Sequence, residues 1–150
     1  MKRYLEIEKL VYQEIEKNCF GNKKRNGYRH LFGVSQLCLL YSIRFQLDQE
    51  LCAIMGLLHD YSVYKNNTSF NHAVLSSELA EKLLKETLLF DEKEIEIIVE
   101  AIKNHSTKNK RHDTYSELLK MCDVVDSYLH EPEMMLDHDR KYYLEKWRNL

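Results

Sequence analysis

The sequence is poor in the residues that break helices: one proline and four glycines in 150 positions. A turn-rich β fold needs far more of both, so this scarcity favours long helices. No apolar run reaches the roughly 20 residues that span a bilayer, and no membrane segment is expected. The opening Met1-Lys2-Arg3-Tyr4-Leu5-Glu6 is charged at once and lacks the apolar stretch of a secretory signal, so the cytoplasm is the expected location. Neither charge dominates. Twenty-two Lys and Arg against 24 Asp and Glu leave a formal net charge of -2, which argues against a nucleic acid strand or an anionic membrane as partner. The four cysteines (Cys19, Cys38, Cys52 and Cys122) form no Cys-x-x-Cys pair and read as reduced thiols. Cys122 adjoins Asp123, but no second cysteine is placed to make a thiolate metal site. A P-loop, a Gly-rich dinucleotide fingerprint and a Ser-His-Asp set are all missing.

What is present is an ordinary globular mixture, 44% hydrophobic and 31% charged, long enough to bury a core without disulfides. The period of its apolar residues is helical. Tyr4, Ile7, Val11 and Ile15 mark a first helix from about Lys2 to Asn18, with Gly21 as a stop signal. Asn22 to Arg29 reads as a basic loop. Leu31, Val34, Leu37, Cys38, Tyr41 and Phe45 mark a second helix from about His30. Asp48 caps a third, which runs into His59-Asp60. Tyr61 to Phe70 reads as a polar connection, and Asn71 as the cap of a fourth helix. Asp91 with Glu94, and Thr114 with Glu117, read as capping boxes for a fifth and a sixth. Pro132 lies at or beyond the end of the sixth. A charged last segment from about Asp137 carries Tyr142, Tyr143 and Trp147 as docking residues. The expected fold is all-α, a single-domain bundle of about six or seven helices spanning residues 1–150.

Within this bundle, certain histidines and aspartates fall in telling places. His30 begins a helix, His59-Asp60 ends one, His72 begins the next, His105 ends the one after, and Asp123 lies inside the sixth. A histidine at a helix end is ordinarily a cap or a surface group. Several of them beside polar loops is a different matter, because helix bundles build metal sites from side chains that converge from facing helices. A mixed imidazole and carboxylate set suits Fe, Mn, Zn, Co or Ni. On a regular helix neighbouring side chains diverge by about 100°, so for His59 and Asp60 to share one ion the helix has to distort or end there. Asp126, one turn beyond Asp123, is either the ligand in its place or an acceptor for a ligating histidine. His112, His130 and His138 lie in charged stretches and read as solvated.

The order His30, His59-Asp60, Asp123 resembles the H…HD…D pattern of the HD superfamily of metal-dependent phosphohydrolases. Ala53-Ile54-Met55-Gly56-Leu57-Leu58-His59-Asp60 looks like that family's central helix, and Met121-Cys122-Asp123-Val124-Val125-Asp126 like its final one. The likeness covers about residues 28–130. It implies that His30, His59, Asp60 and Asp123 bind a divalent transition metal, with Asp60 and His59 at the catalytic centre. Some members add two histidines that bind a second ion, and His72 and His105 fit those places. The set then looks like that of the bacterial dinucleoside-tetraphosphate hydrolases, which implies one or two ions with iron or manganese favoured. It is less like the cyclic-dinucleotide branch, since Ser106 rather than a second histidine follows His105. Many relatives have Gly-Lys soon after the His-Asp pair; here Ser62 stands near the Gly place and Lys65 comes late.

Two basic clusters adjoin the candidate ligands: Lys23, Lys24, Arg25 and Arg29 before His30, and Lys103, Lys108, Lys110 and Arg111 around His105. Either cluster reads as a solvated loop, or as cations for substrate phosphate, with Arg29, Lys65, Lys108 and Arg111 the candidate contacts. Tyr28, Tyr61 and Tyr64 pack around helix ends or stack on a base. The expected partner is a small phosphorylated compound, a nucleotide above all. The rival readings are a non-catalytic ligand-binding or regulatory domain of the same fold, and a di-iron oxygenase on the same scaffold.

Overall fold

In the computed structural model, which describes Met1 to Leu150, the chain is built from nine α-helices with no strand. α1 (Lys2–Asn18) follows the expected period, with Ile7, Val11 and Ile15 buried along one side. The basic stretch expected as a loop is helical instead. It forms α2 (Gly21–Gly27) and runs without a break through a five-residue π-helical turn, Tyr28–Phe32, into α3 (Gly33–Ser42). Polar residues that have weak helix signals by themselves are held helical here by packing on α1, a tertiary contact that overrides local preference.

α4 (Gln49–Leu58) is the centre of the bundle. Asp48 caps it as expected, accepting from the Leu51 N–H at 2.9 Å. Every residue from Leu51 to Leu58 is buried, the mark of a helix enclosed on all sides. It packs on α1, on α3 and on two later helices, α7 (Glu92–Asn104) and α8 (Thr114–His130). The crossing with α3 depends on Gly56. A Cβ there would lie 2.8 Å from the Ser35 Cα and 2.9 Å from its backbone nitrogen, so only glycine lets the two backbones come this close. In the same crossing the Ser35 hydroxyl donates to the Ala53 carbonyl at 2.8 Å.

The polar connection after Asp60 contains a short helix, α5 (Tyr61–Lys65), with Tyr61, Ser62 and Tyr64 buried. Asn71 does precede α6 (His72–Thr87), but its backbone is left-handed at φ 49° and its side chain makes no cap. The Asp91–Glu94 capping box of α7 forms as expected. That of α8 does not: the cap is Asp113, which accepts from the Ser116 N–H at 3.1 Å. Glu117, buried among later elements, accepts instead from the His112 N–H and from Lys120. Pro132 follows the end of α8. α9 (His138–Arg148) docks through buried Tyr143 and through Trp147, whose Nε1 donates to the Tyr41 hydroxyl at 2.7 Å. The two helices beyond the expected seven are thus the short α2 and α5. No helix is long and apolar enough to cross a membrane.

Candidate metal centre

α4 stops one residue before the His-Asp pair. His59 keeps helical angles (φ -59°, ψ -35°), whereas Asp60 leaves them (φ -113°, ψ 23°). The break removes the divergence that a regular helix would impose, and both side chains face the same space. His30 enters that space from the middle of the π-helical turn, a wide i→i+5 turn of the kind often found at functional positions. Asp123 enters from α8, His72 from the first residue of α6, and His105 from the residue after α7.

The side chains meet closely. His30 Nε2 lies 3.1 Å from His59 Nε2, 3.4 Å from Asp60 Oδ2 and 3.4 Å from Asp123 Oδ1. His59 Nε2 is 3.5 and 3.7 Å from the same two oxygens. The other oxygen of Asp60, Oδ1, faces His105 Nε2 at 3.2 Å and His72 Nε2 at 3.5 Å. Three overlapping groups therefore have ligand atoms within 4.8 Å of one another: His30, His59 and Asp60; His59, His105 and Asp123; and Asp60, His72 and His105.

The outer nitrogens of the four rings determine what the inner ones can do. His59 Nδ1 donates to the Gly56 carbonyl at 2.7 Å, His105 Nδ1 to the Ile102 carbonyl at 2.6 Å, and His72 Nδ1 to the Ser69 carbonyl at 3.2 Å. His30 Nδ1 donates to Asp126 Oδ2 at 2.8 Å. Carbonyl and carboxylate oxygens only accept, so the proton of each neutral ring sits on Nδ1. That leaves each Nε2 with its lone pair turned inward, the tautomer in which imidazole binds a metal.

Asp60 Oδ1 is buried and has no hydrogen-bond partner. A buried carboxylate oxygen facing lone pairs is costly unless a cation joins them. Burial by itself would push the Asp60 carboxyl up, but the facing His59, His105 and His30 rings in their charged, donating form, a positive charge that a metal would replace, hold it well below the usual carboxylate range. Burial opposes ionisation of Asp123 too, and Lys108, His30 and His59 outweigh it. The His30 ring, which burial would make harder to charge, is held well above its ordinary value by Asp123, Asp126 and Asp60. Burial wins at His105, whose affinity for a proton falls despite Asp60. Two ionised carboxylates among inward-facing imidazoles fit a divalent cation, and the absence of any thiol from the three groups keeps the donor set of the Fe, Mn, Zn, Co and Ni kind.

Of the four candidate phosphate contacts, one reaches this cluster. Lys108 Nζ donates to Asp123 Oδ2 at 2.8 Å and to the His105 carbonyl at 3.0 Å. Lys65 turns away to α1, paired with Glu14 at 3.2 Å and lying over the Tyr61 ring. Arg111 is laid on Tyr142, 3.7 Å from its ring centre, and gives its Nη1 to the Tyr143 hydroxyl and the Lys108 carbonyl. Arg29 is exposed and forms no ion pair. Asp126 takes its place behind His30 as an acceptor, outside the three groups. The tyrosines serve packing: Tyr61 and Tyr64 are buried, and Tyr28 bonds to Glu16. His112, expected in solvent, accepts from Lys120. Sequence reasoning passed over Lys120 altogether, although a charged residue interrupting the apolar run Leu118-Leu119-Lys120-Met121-Cys122 is a readable sign of a buried polar contact.

No curated protein matches this chain. Among solved structures it is similar to that of a predicted HD superfamily hydrolase from an uncultured Thermotogales bacterium, at 19% identity over 93% of this chain and 84% of that one, with a TM-score of 0.63. At that identity the likeness speaks for the fold. The HD domain family itself matches over residues 27–129, a span that takes in His30, His59, Asp60 and Asp123 with the helices that carry them, and on that match the chain belongs to the HD domain family.

Proposed function

We propose that this protein is a metal-dependent phosphohydrolase that cleaves a phosphate ester or anhydride of a small nucleotide. The observation that carries the reading is the inward set of four imidazole Nε2 atoms around two ionised carboxylates, with one ammonium group beside them. His30, His59, Asp60 and Asp123 would hold one ion. Asp60 turns its second oxygen to His72 and His105, and these would hold another. Iron or manganese is favoured, with zinc, cobalt or nickel acceptable to the same donors. Bound there, a divalent cation supplies an activated water near neutral pH and offsets charge on phosphoryl oxygens.

The chain's own groups supply the rest. Asp60 and His59 are the central residues, Asp60 because its two oxygens serve both halves of the site and His59 because it is wholly enclosed between them. Lys108 stands on the Asp123 oxygen that the histidines leave free, and its ammonium group is the one available to a substrate phosphate. Among the six ligand candidates His72 is the most open, its side chain 31% exposed, which makes the α6 side the most accessible to a substrate. A site set among helix ends suits a small ligand rather than a strand of nucleic acid. Histidines at both 72 and 105 support the dinucleoside-tetraphosphate type within the family.

The test is a screen for hydrolysis of nucleotides, dinucleoside polyphosphates and phosphomonoesters, with all products separated by chromatography, on protein whose metal content is measured. Hydrolysis that tracks metal content supports the reading. A fully metallated diferrous or manganese protein that hydrolyses none of these compounds would overturn it, and oxygen consumption would then point to an oxygenase.

A further inference from the structure

Outside the metal cluster the molecule buries a second set of ionisable groups. Lys120 is wholly buried, which is rare for a lysine unless it is fully paired. Its three ammonium protons are all used: on Glu117 Oε1 at 2.8 Å, on the Lys110 carbonyl at 2.9 Å and on His112 Nδ1 at 2.6 Å. The second oxygen of Glu117 accepts from the Tyr143 hydroxyl at 2.7 Å. That hydroxyl in turn accepts from Arg111 at 3.2 Å, and Arg111 donates to the Lys108 carbonyl at 2.9 Å.

The contacts share one target. The backbone or side chains of residues 108, 110, 111 and 112 are each held from below, by a chain that begins on α8 and closes on α9. The side chain of Lys108 leaves the same loop for Asp123, one turn further along α8 than Lys120. A long, flexible lysine can stay on one oxygen only if its own backbone is pinned. A buried ion pair is a poor way to gain stability, since well-packed apolar residues of the same volume do as well or better. Its worth here lies in aiming the loop.

We propose that Lys120, Glu117 and Tyr143 form a positioning network that holds Lys108 against Asp123 beside the metal centre, where it takes the substrate's phosphate. This rests on the phosphohydrolase reading. It assigns α9 a part in the reaction although α9 supplies no group to the cluster.

Tyr143→Phe removes one hydroxyl and leaves the packing volume. Arg111→Gln, at an exposed position, cuts the same chain if the first variant folds poorly. Both are compared with Lys108→Met and with each double variant, on metal-loaded protein. Lys108→Met is expected to lower kcat/KM by about ten- to a hundredfold, the size of a charged contact. Tyr143→Phe or Arg111→Gln should lower it by roughly three- to tenfold with metal content kept, and should do nothing further once Lys108 is methionine. Equal losses with and without Lys108, or a fall in melting temperature with unchanged kinetics, overturn the proposal. A second readout needs no substrate: the acetylation rate of Lys108 with acetic anhydride, followed by mass spectrometry. It should rise several-fold in Tyr143→Phe or Arg111→Gln. An unchanged rate sinks the network even if hydrolysis is found, and a raised rate upholds the positioning even if the enzyme reading fails.

Discussion

His30 and Asp126 are joined by a hydrogen bond of 2.8 Å between Nδ1 and Oδ2, across 96 residues of sequence. The bond ties the π-helical turn to α8 and aims His30 Nε2 at the centre of the cluster. The space for it is made by Gly33, where a Cβ would lie 2.2 Å from Asp126 Oδ1. Acceptors behind metal-binding histidines commonly govern affinity by about ten- to a hundredfold. Asp126→Ala should therefore weaken metal binding by that order. Gly33→Ala should act the same way, by pushing Asp126 off the ring. Competition with a chelator of known affinity measures both, and parent-like affinity in both variants would remove Asp126 from the site's design.

Asp60→Ala should remove most of the bound metal and abolish hydrolysis. The motivation is that Asp60 alone divides its oxygens between the two sets of histidines. Elemental analysis of purified protein together with a chromatographic assay of hydrolysis checks this. A variant with full metal content and full activity would take Asp60 out of the centre.

His72→Ala and His105→Ala should lower the metal stoichiometry from near two per chain towards one, with the ion between His30, His59 and Asp123 kept. Both rings face Asp60 Oδ1, the buried oxygen without a hydrogen-bond partner. The decisive result is the count in the parent. A value of one, unmoved by either substitution, would return both histidines to the ordinary role of helix-end residues.

Acid should destabilise the protein partly through Glu50, which joins α1 to α4. Burial pushes its carboxyl up, but the N-terminal ammonium, the Tyr4 N–H and Arg3 outweigh burial and bring it from 4.5 down to about 2. A group whose folded pKa is depressed stabilises the fold above its unfolded value, and that contribution is lost as pH falls from about 4.5 to about 2. Glu50→Gln should cost roughly 1–2 kcal/mol at pH 6, the linked energy discounted for solvent screening. Near pH 2 the gap between parent and variant should close. Denaturant unfolding at the two pH values measures it, and a gap of equal size at both would falsify the assignment.

Much of the centre is legible in the amino-acid sequence. The apolar run Leu51 to Leu58 marks a buried helix, and the polar residues after Asp60 mark its end, which is what His59 and Asp60 need to face one ion. Asp48 and the Asp91–Glu94 box are readable because a cap is a local bond between residues three apart. The cap of α8 falls one residue earlier than the Thr114 pattern suggests, because Glu117, which completes that pattern on paper, is held by Lys120 and Tyr143.

What the sequence by itself determined, then, was the helical class, the order of the main helices and the candidate ligand residues at their ends. These follow from periodicity and local bonding, which act over a few residues. The tertiary structure alone decided which cation lies against the cluster. Lys65, Lys108 and Arg111 are alike in sequence terms, each a basic residue in a polar stretch near a histidine. Only the packed backbone sends Lys65 to Glu14 and Arg111 to Tyr142, and leaves Lys108 on Asp123. It decided the part of Asp126 as well, since an acceptor 96 residues from its donor is brought there by the packing of α3 against α8. The physical reason is reach. A long side chain can point anywhere its backbone allows, and the backbone path between helices is set by which apolar faces find one another.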